Sequence, residues 1–306
     1  MTRSTCRRGG ILCRRLLTGA LGPLVCVVAF TDPDASAITT DAKPPRRIVT
    51  LGAAVTETVY ALGAGDEIVA RDTSSTHPKE AQALPDAGYF RTIEAARILA
   101  QKPTLVLAAG GTGPDSQVAL LEQSGVELVH LDERPSVDAT VSMITRIGVV
   151  LHLEAEASRL VAALKTKLTT VRKRSTAAAA ATGRTPRVAF LISMGPTTVQ
   201  AAGFGTAADE VITLAGGANV FGDARNYKVV SAEALRARDP DVIFYAITSD
   251  VPAPLIPSWV SQTRAGREGR VQPLDLGFHL MFGPHLGEAV EAVSLLLFPF
   301  GPTGGG

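Results

Sequence analysis

The sequence predicts an α/β protein of two lobes joined by a single long helix, with a ligand cleft between the lobes. Three observations carry this. Runs rich in Val, Ile and Leu alternate with helical stretches from Arg46 onward, the pattern of sheets covered by helices. The residues between Val150 and Ala181 contain neither Gly nor Pro, and Leu153, Ala157, Leu160, Val161, Leu164, Leu168 and Val171 recur at three- and four-residue steps, as one amphipathic helix requires. The 306-residue length suits two modest domains. Each lobe is thus expected to be Rossmann-like, with ligands held at the domain interface near strand C-terminal ends.

The chain opens with a different pattern. Arg3, Arg7, Arg8, Arg14 and Arg15 precede an apolar run from Leu16 to Phe30, and Ala35-Ser36-Ala37 offers small residues for cleavage. This predicts a signal peptide over residues 1–37 and export. The apolar run is shorter than the ~20 residues a spanning helix needs. Paired arginines leave the general and twin-arginine routes open, while Val25 before Cys26 fits a lipoprotein signal poorly. Cys6, Cys13 and Cys26 all fall in the segment to be removed, so the mature chain is expected to form neither disulfides nor thiolate metal sites. Loss of five arginines and two aspartates turns a formal charge of +1 into −2. No basic surface for nucleic acid is expected.

The first lobe is expected over residues 46–150. Its strands are Arg47–Leu51, Ile68–Ala70, Thr104–Ala108 and Glu127–Leu131, with helices at Thr56–Leu62 and Ser116–Gln123. The connecting helix follows over residues 151–182, ended by Gly183, with Lys165, Lys167, Arg172, Lys173 and Arg174 toward its C-terminal end, where cations complement the macrodipole. The second lobe is expected over residues 186–300: a strand at Arg187–Ile192, helices at Thr206–Ala215 and Ala232–Arg238, a strand at Asp241–Ala246 and a last helix from Pro284 to Leu297.

Catalytic motifs are missing from the sequence: it has no G-x-S-x-G, no G-x-x-x-x-G-K-[ST] and no H-E-x-x-H. Gly110-Gly111-Thr112-Gly113 lacks the Lys-Ser/Thr end of a nucleotide loop and reads as a flexible turn. His77, His130, His152, His279 and His285 are scattered, with only the last two close. A zinc or manganese carrier, or a metal-dependent hydrolase, would have to be assembled from these. The sharper signal is Gly88-Tyr89-Phe90-Arg91. A tyrosine after a glycine can stand exposed at a turn, and a phenolate ligates ferric haem iron. Phenols titrate near ~10 in water, and a cation such as Arg91 favours the anion.

The run RIVTLGAAVTETVYALGAGDEIVARDTSSTHPKEAQALPDAGYFRTIEAARIL from Arg47 resembles the N-terminal lobe of the haemin-binding proteins that serve ABC haem importers. AAGFGTAADEVITLAGGANVF from Ala201 and NYKVVSAEALRARDPDVIF from Asn226 resemble the second lobe of the same family. The resemblance implies a monomeric, non-enzymatic periplasmic protein that carries ferric haem b to an ABC permease and its ATPase. It places Tyr89 at the axial haem ligand and Arg91 at the arginine that accompanies it. Where some members offer a His from the second lobe, this chain has Met194; thioether prefers ferrous iron, so five-coordinate, Tyr89-bound ferric haem is expected. Lys228 and Arg225 are the expected propionate partners, and Phe90, Met194, Phe204 and Met281 the ring-lining side chains. Permease docking in this fold resembles one acidic contact per lobe. Glu233 in SAEAL matches the second; the first position holds Ala96, with Glu94 two residues earlier. Carriers of cobalamin and ferric siderophores share the wider fold and stand as the alternative.

Overall fold

Ile48–Leu51 (β1) is a run of four buried residues flanked by helix-forming sequence, which suits a central parallel strand. The computed structural model describes residues 46–195, 198–247 and 257–299; the expected signal peptide lies outside them. After β1 come Ala53–Ala61 (α1), Ile68–Arg71 (β2), Ala95–Leu99 (α2), Leu105–Ala109 (β3), Asp115–Gln123 (α3), Glu127–Leu131 (β4) and Val137–Leu151 (α4). The four strands form one parallel sheet in the order β2-β1-β3-β4. In such a sheet all strand C-terminal ends lie on one side, and the order reverses between β1 and β3, where a crevice opens.

Helix α4 is not among the elements expected from the sequence, and it runs through Gly148 without a break. Ser136 caps it by accepting from the Ala139 amide at 3.2 Å. A Cβ on Gly148 would overlap the Ala157 Cβ, so the glycine serves close helix packing. His152, in the left-handed region at φ 57°, ends α4. The connecting helix therefore begins at Glu154, not residue 151, and runs unbroken to Thr182 (α5).

In α5 the buried residues Ala157, Leu164, Val171 and Ala178 recur every seven positions, giving one stripe that packs on α4 and on the last helix. Gly183 closes it at φ 69°. Its last turn carries no basic residue, so the expected macrodipole role of the lysine–arginine cluster is corrected. Lys167 and Arg174 instead both pair with Glu291, joining α5 to the C-terminal helix.

The second sheet is built from Arg187–Ser193 (β5), Val199–Ala202 (β6), Ala218–Asn219 (β7), Tyr227–Val229 (β8), Val242–Ile247 (β9) and Val271–Asp275 (β10). Its main order is β10-β9-β5-β6-β8, with β7 beside the start of β5. Strands β5, β9 and β10 are parallel, and β6 is antiparallel to both β5 and β8. Between them lie Ala207–Leu214 (α6), Ala232–Arg238 (α7), Arg264–Arg267 (α8) and Leu276–His279 (α9), and Leu286–Leu297 (α10) ends the described chain. Alternate residues of β5 serve opposite faces: Val188 and Phe190 join the core shared with α5, α6 and α10, whereas Ala189 and Leu191 pack with Leu235 and Val260.

The segment after β10 ties the second sheet to the first. Phe282 O accepts from the Thr140 hydroxyl of α4 at 3.3 Å. His285 sets Nδ1 2.6 Å from Glu57 Oε2 of α1 and Nε2 2.9 Å from Phe278 O, with its ring stacked on Phe278. Both ring nitrogens face acceptors, which favours the imidazolium. Burial opposes that charge, but the hydrogen bond and charge of Glu57, the Phe278 carbonyl and Glu288 outweigh it, and the His285 pKa is raised. The pair's stabilisation is therefore complete below the ordinary histidine value and is lost as pH rises through the raised one. Urea unfolding should show declining stability on the alkaline side, and Glu57→Gln should flatten that decline while costing about 1–3 kcal/mol at pH 6. Parallel pH profiles for the two proteins would remove the pair from the account.

Candidate functional site

The first-sheet strands all deliver their loops to the same side, and the loop after β2 is organised by Asp72. This fully buried carboxylate accepts from Gly52 N at 3.0 Å, Ser74 N at 3.1 Å, Ser74 Oγ at 2.6 Å and Ser75 Oγ at 2.6 Å. A hydroxyl chain continues from Ser75 through Thr56 to Thr50, at 2.6 and 2.7 Å. The chain then returns beside β2, where Arg71 N donates to Pro85 O and Arg71 O accepts from Ala87 N, and reaches Gly88 at φ 93°, whose carbonyl accepts from Thr73 N.

That left-handed turn presents Tyr89 and buries its neighbour. Tyr89 is 43% exposed and Phe90 5%, the rings meeting edge-on at 5.1 Å. The carbonyl of Phe90 accepts from Gly113 N at 3.0 Å, and Gly113 O accepts from Ile93 N at 2.7 Å. The Gly110–Gly113 segment, expected as a flexible turn, is thus the strut behind the tyrosine.

Arg91 lies 4.6 Å over the Phe90 ring. A Cβ on Gly111 would overlap its Nη1, and its Nη2 is 3.9 Å from Glu133 Oε2. Its nearest charge partner is therefore a carboxylate that sequence reasoning missed, two residues beyond β4. Burial pushes the Glu133 pKa up to about 7; Arg91 opposes that rise and Asp72 adds to it. The available signal was its position at a strand C-terminal end, on the side where open α/β sheets bind ligands.

In the second lobe, Met194 follows β5 and is 59% exposed. Lys228 lies on the outer strand β8, opposite Ala201, and Val229 opposite Gln200. Phe204 and Arg225 pair with each other beyond the other end of β6. Phe204 lies five positions along the chain from Val199, which sits opposite Ser193, and at ~3.3 Å per position this is roughly 16 Å. The register thus divides the second-lobe candidates: Met194 lies at one end of β6, Arg225 and Phe204 at the other, and Lys228 between. Met281 is half-buried between α9 and α10, packed on the core.

The acidic candidates sit at helix starts. Glu94 precedes α2 and is exposed, as is Ala96. Glu233 stands in the first turn of α7, 3.0 Å from Arg236. Val230 N bonds Val199 O, so α7 starts at the Met194 end of the sheet. The histidines are dispersed: His130 faces Glu122, His152 ends α4, His279 contacts Asp275 O, and His77 and His285 flank an apolar recess of about 490 Å³ with Tyr60, Pro78 and Phe278.

The chain matches the model of the periplasmic binding protein family over residues 48–275. It is 26% identical over 263 residues to an uncharacterised ABC transporter substrate-binding lipoprotein, YvrC, of Bacillus subtilis (strain 168), covering 84% of this chain and 81% of that one. It is 28% identical over 228 residues to the vitamin B12-binding protein of Yersinia pestis (strain Pestoides F), covering 74% and 79%. The structure of the periplasmic heme-binding protein RhuT from Roseiflexus sp. RS-1, in apo form, superposes with a TM-score of 0.75 at 30% identity, covering 83% of this chain and 98% of that one. The match covers most of the described chain, and the chain belongs to the periplasmic binding protein family, the substrate-binding proteins of ABC transporters.

Proposed function

We propose that the chain is a periplasmic carrier of ferric haem, which it binds through Tyr89 and hands to an ABC permease and its ATPase. The observation that carries the reading is Tyr89 itself: a phenol held exposed by a left-handed glycine, a buried neighbour and two backbone bonds, at the ligand-binding end of a parallel sheet. Phenolate oxygen suits ferric iron. Met194, exposed on the second sheet, offers a sulfur to the same cargo, though thioether favours the ferrous state. Lys228 is the second-lobe cation that the register keeps nearer Met194, and Arg225 the more distant one. The RhuT likeness supports haem. The vitamin B12-binding relative keeps a corrinoid as the second reading, for which an iron ligand on Tyr89 has no use. Neither reading includes a catalytic step.

Protein from residue 38 onward should bind one ferric haem with the charge-transfer bands of tyrosinate ligation. Tyr89→Ala should abolish those bands and weaken binding at least tenfold, about 1.4 kcal/mol or more. An unchanged spectrum in the variant would show that Tyr89 is not the ligand, and tight binding of cobalamin without haem binding would favour the second reading.

Delivery should depend on docking. Helix α5, about 43 Å long at ~1.5 Å per residue, packs on α4 and α10 without an internal break, which limits hinge opening. Glu233, and Glu94 in the first lobe, are the proposed docking acids. Glu233→Ala should keep haem affinity and reduce ATP-driven uptake into reconstituted vesicles. The loss should change with salt, since surface charges are screened beyond ~8–10 Å. Full uptake by the variant at both low and high ionic strength would return Glu233 to a helix-start role.

A further inference from the structure

Three loops meet over the end of β3. Arg91 reaches across from the β2-to-β3 connection, Gly110 and Gly111 supply the floor, and Glu133 stands beyond β4. The guanidinium is confined by the Phe90 ring below, the Gly111 backbone beside it and the Glu133 carboxyl at 3.9 Å. Gly110 packs against Glu133 less tightly: a Cβ there would come within 3.3 Å of the Glu133 amide. Both glycines leave room for the pair. Arg91 is still half exposed, with Tyr89 two residues away, so the cation that meets a resident acid also keeps an accessible face.

We infer that Glu133 is a positioning residue of the cargo site, whose carboxylate competes with a carboxylate of the cargo for the Arg91 guanidinium. This rests on the haem reading, since haem carries two propionates. In the empty protein Glu133 steadies Arg91 against Phe90; in the loaded protein a bidentate bond to a propionate replaces the longer contact. The charged groups around Glu133 are Arg91, which favours its anion, and buried Asp72, which disfavours it. Its neighbours Asp132 and Arg134 are paired with each other. Burial dominates and brings the carboxyl to about 7. Below that value Glu133 is neutral and leaves Arg91 to the cargo; above it the resident carboxylate competes.

The test compares wild type with Glu133→Gln, using ferric haem and its dimethyl ester at pH 6 and pH 8. For haem, the two proteins should bind alike at pH 6, and the variant should bind about three- to tenfold more tightly at pH 8. The ester, with no free carboxylate, should show no such divergence. The Glu133 carboxyl resonance, followed by carbon NMR, should titrate at higher pH in Arg91→Leu than in wild type. Haem ligation through Tyr89 with equal affinities at both pH values, or the same divergence with the ester, would overturn the competition while leaving the haem reading intact. Failure of the wild-type chain to bind haem at all would overturn both.

Discussion

The buried carboxylate of Asp72 is the group on which the first-lobe site depends. A carboxylate removed from water must recover its hydrogen bonds from the protein, and Asp72 does so with four donors drawn from the end of β1 and the two serines that follow it. Those bonds join the ends of two adjacent strands and set the path of the β2-to-β3 connection. The Thr73 bond to Gly88, the pinning of Phe90 on Gly113 and the outward Tyr89 follow along the same chain. An exposed aromatic ring is more often an accident of packing than a device. Here a left-handed glycine and a nearly inaccessible neighbour leave the phenol outside by construction.

The second constraint is mechanical. One helix of 29 residues joins the two sheets, and both of its long neighbours hold it: α4 through the glycine-permitted contact at Gly148 and Ala157, α10 through the shared Glu291. The segment after β10 adds Phe282 to Thr140 and His285 to Glu57. These contacts tie the two sheets together on several sides of α5. Wide spontaneous opening would break packing on several sides of α5, which is why the proposed function assigns release to docking.

Much of this was legible in the sequence because periodicity reports burial. The runs at Ile48, Leu105, Glu127, Arg187 and Val242 became strands within a residue or so of expectation, and the apolar steps from Ala157 to Val171 became the facing stripe of α5. Where the pattern failed, a tertiary contact had replaced it. Gly148 sits in a helix because Ala157 needs its space, and the break at His152 is a single left-handed residue with no Gly or Pro to signal it. Strands β6 to β8 are short and carry Ala, Asn and Lys where a strand pattern would want branched residues. In the site, Tyr89 and Arg91 were visible as a local motif. Glu133 was not, because only the strand order places the end of β4 beside the connection from β2. Likewise the distance between Met194 and Arg225 is a property of register, which no linear spacing encodes.

The proposed haem function turns on where the iron of bound haem would sit. A crystal structure of the mature chain with ferric haem is the most direct measurement. The expected result is iron bonded to Tyr89 Oη, the porphyrin lying between the strand C-terminal ends of the two sheets, and the Arg91 guanidinium turned from Glu133 toward a propionate. Iron held by another side chain, or haem seated in the recess between Tyr60, Phe278 and His285 with Tyr89 left in solvent, would contradict it.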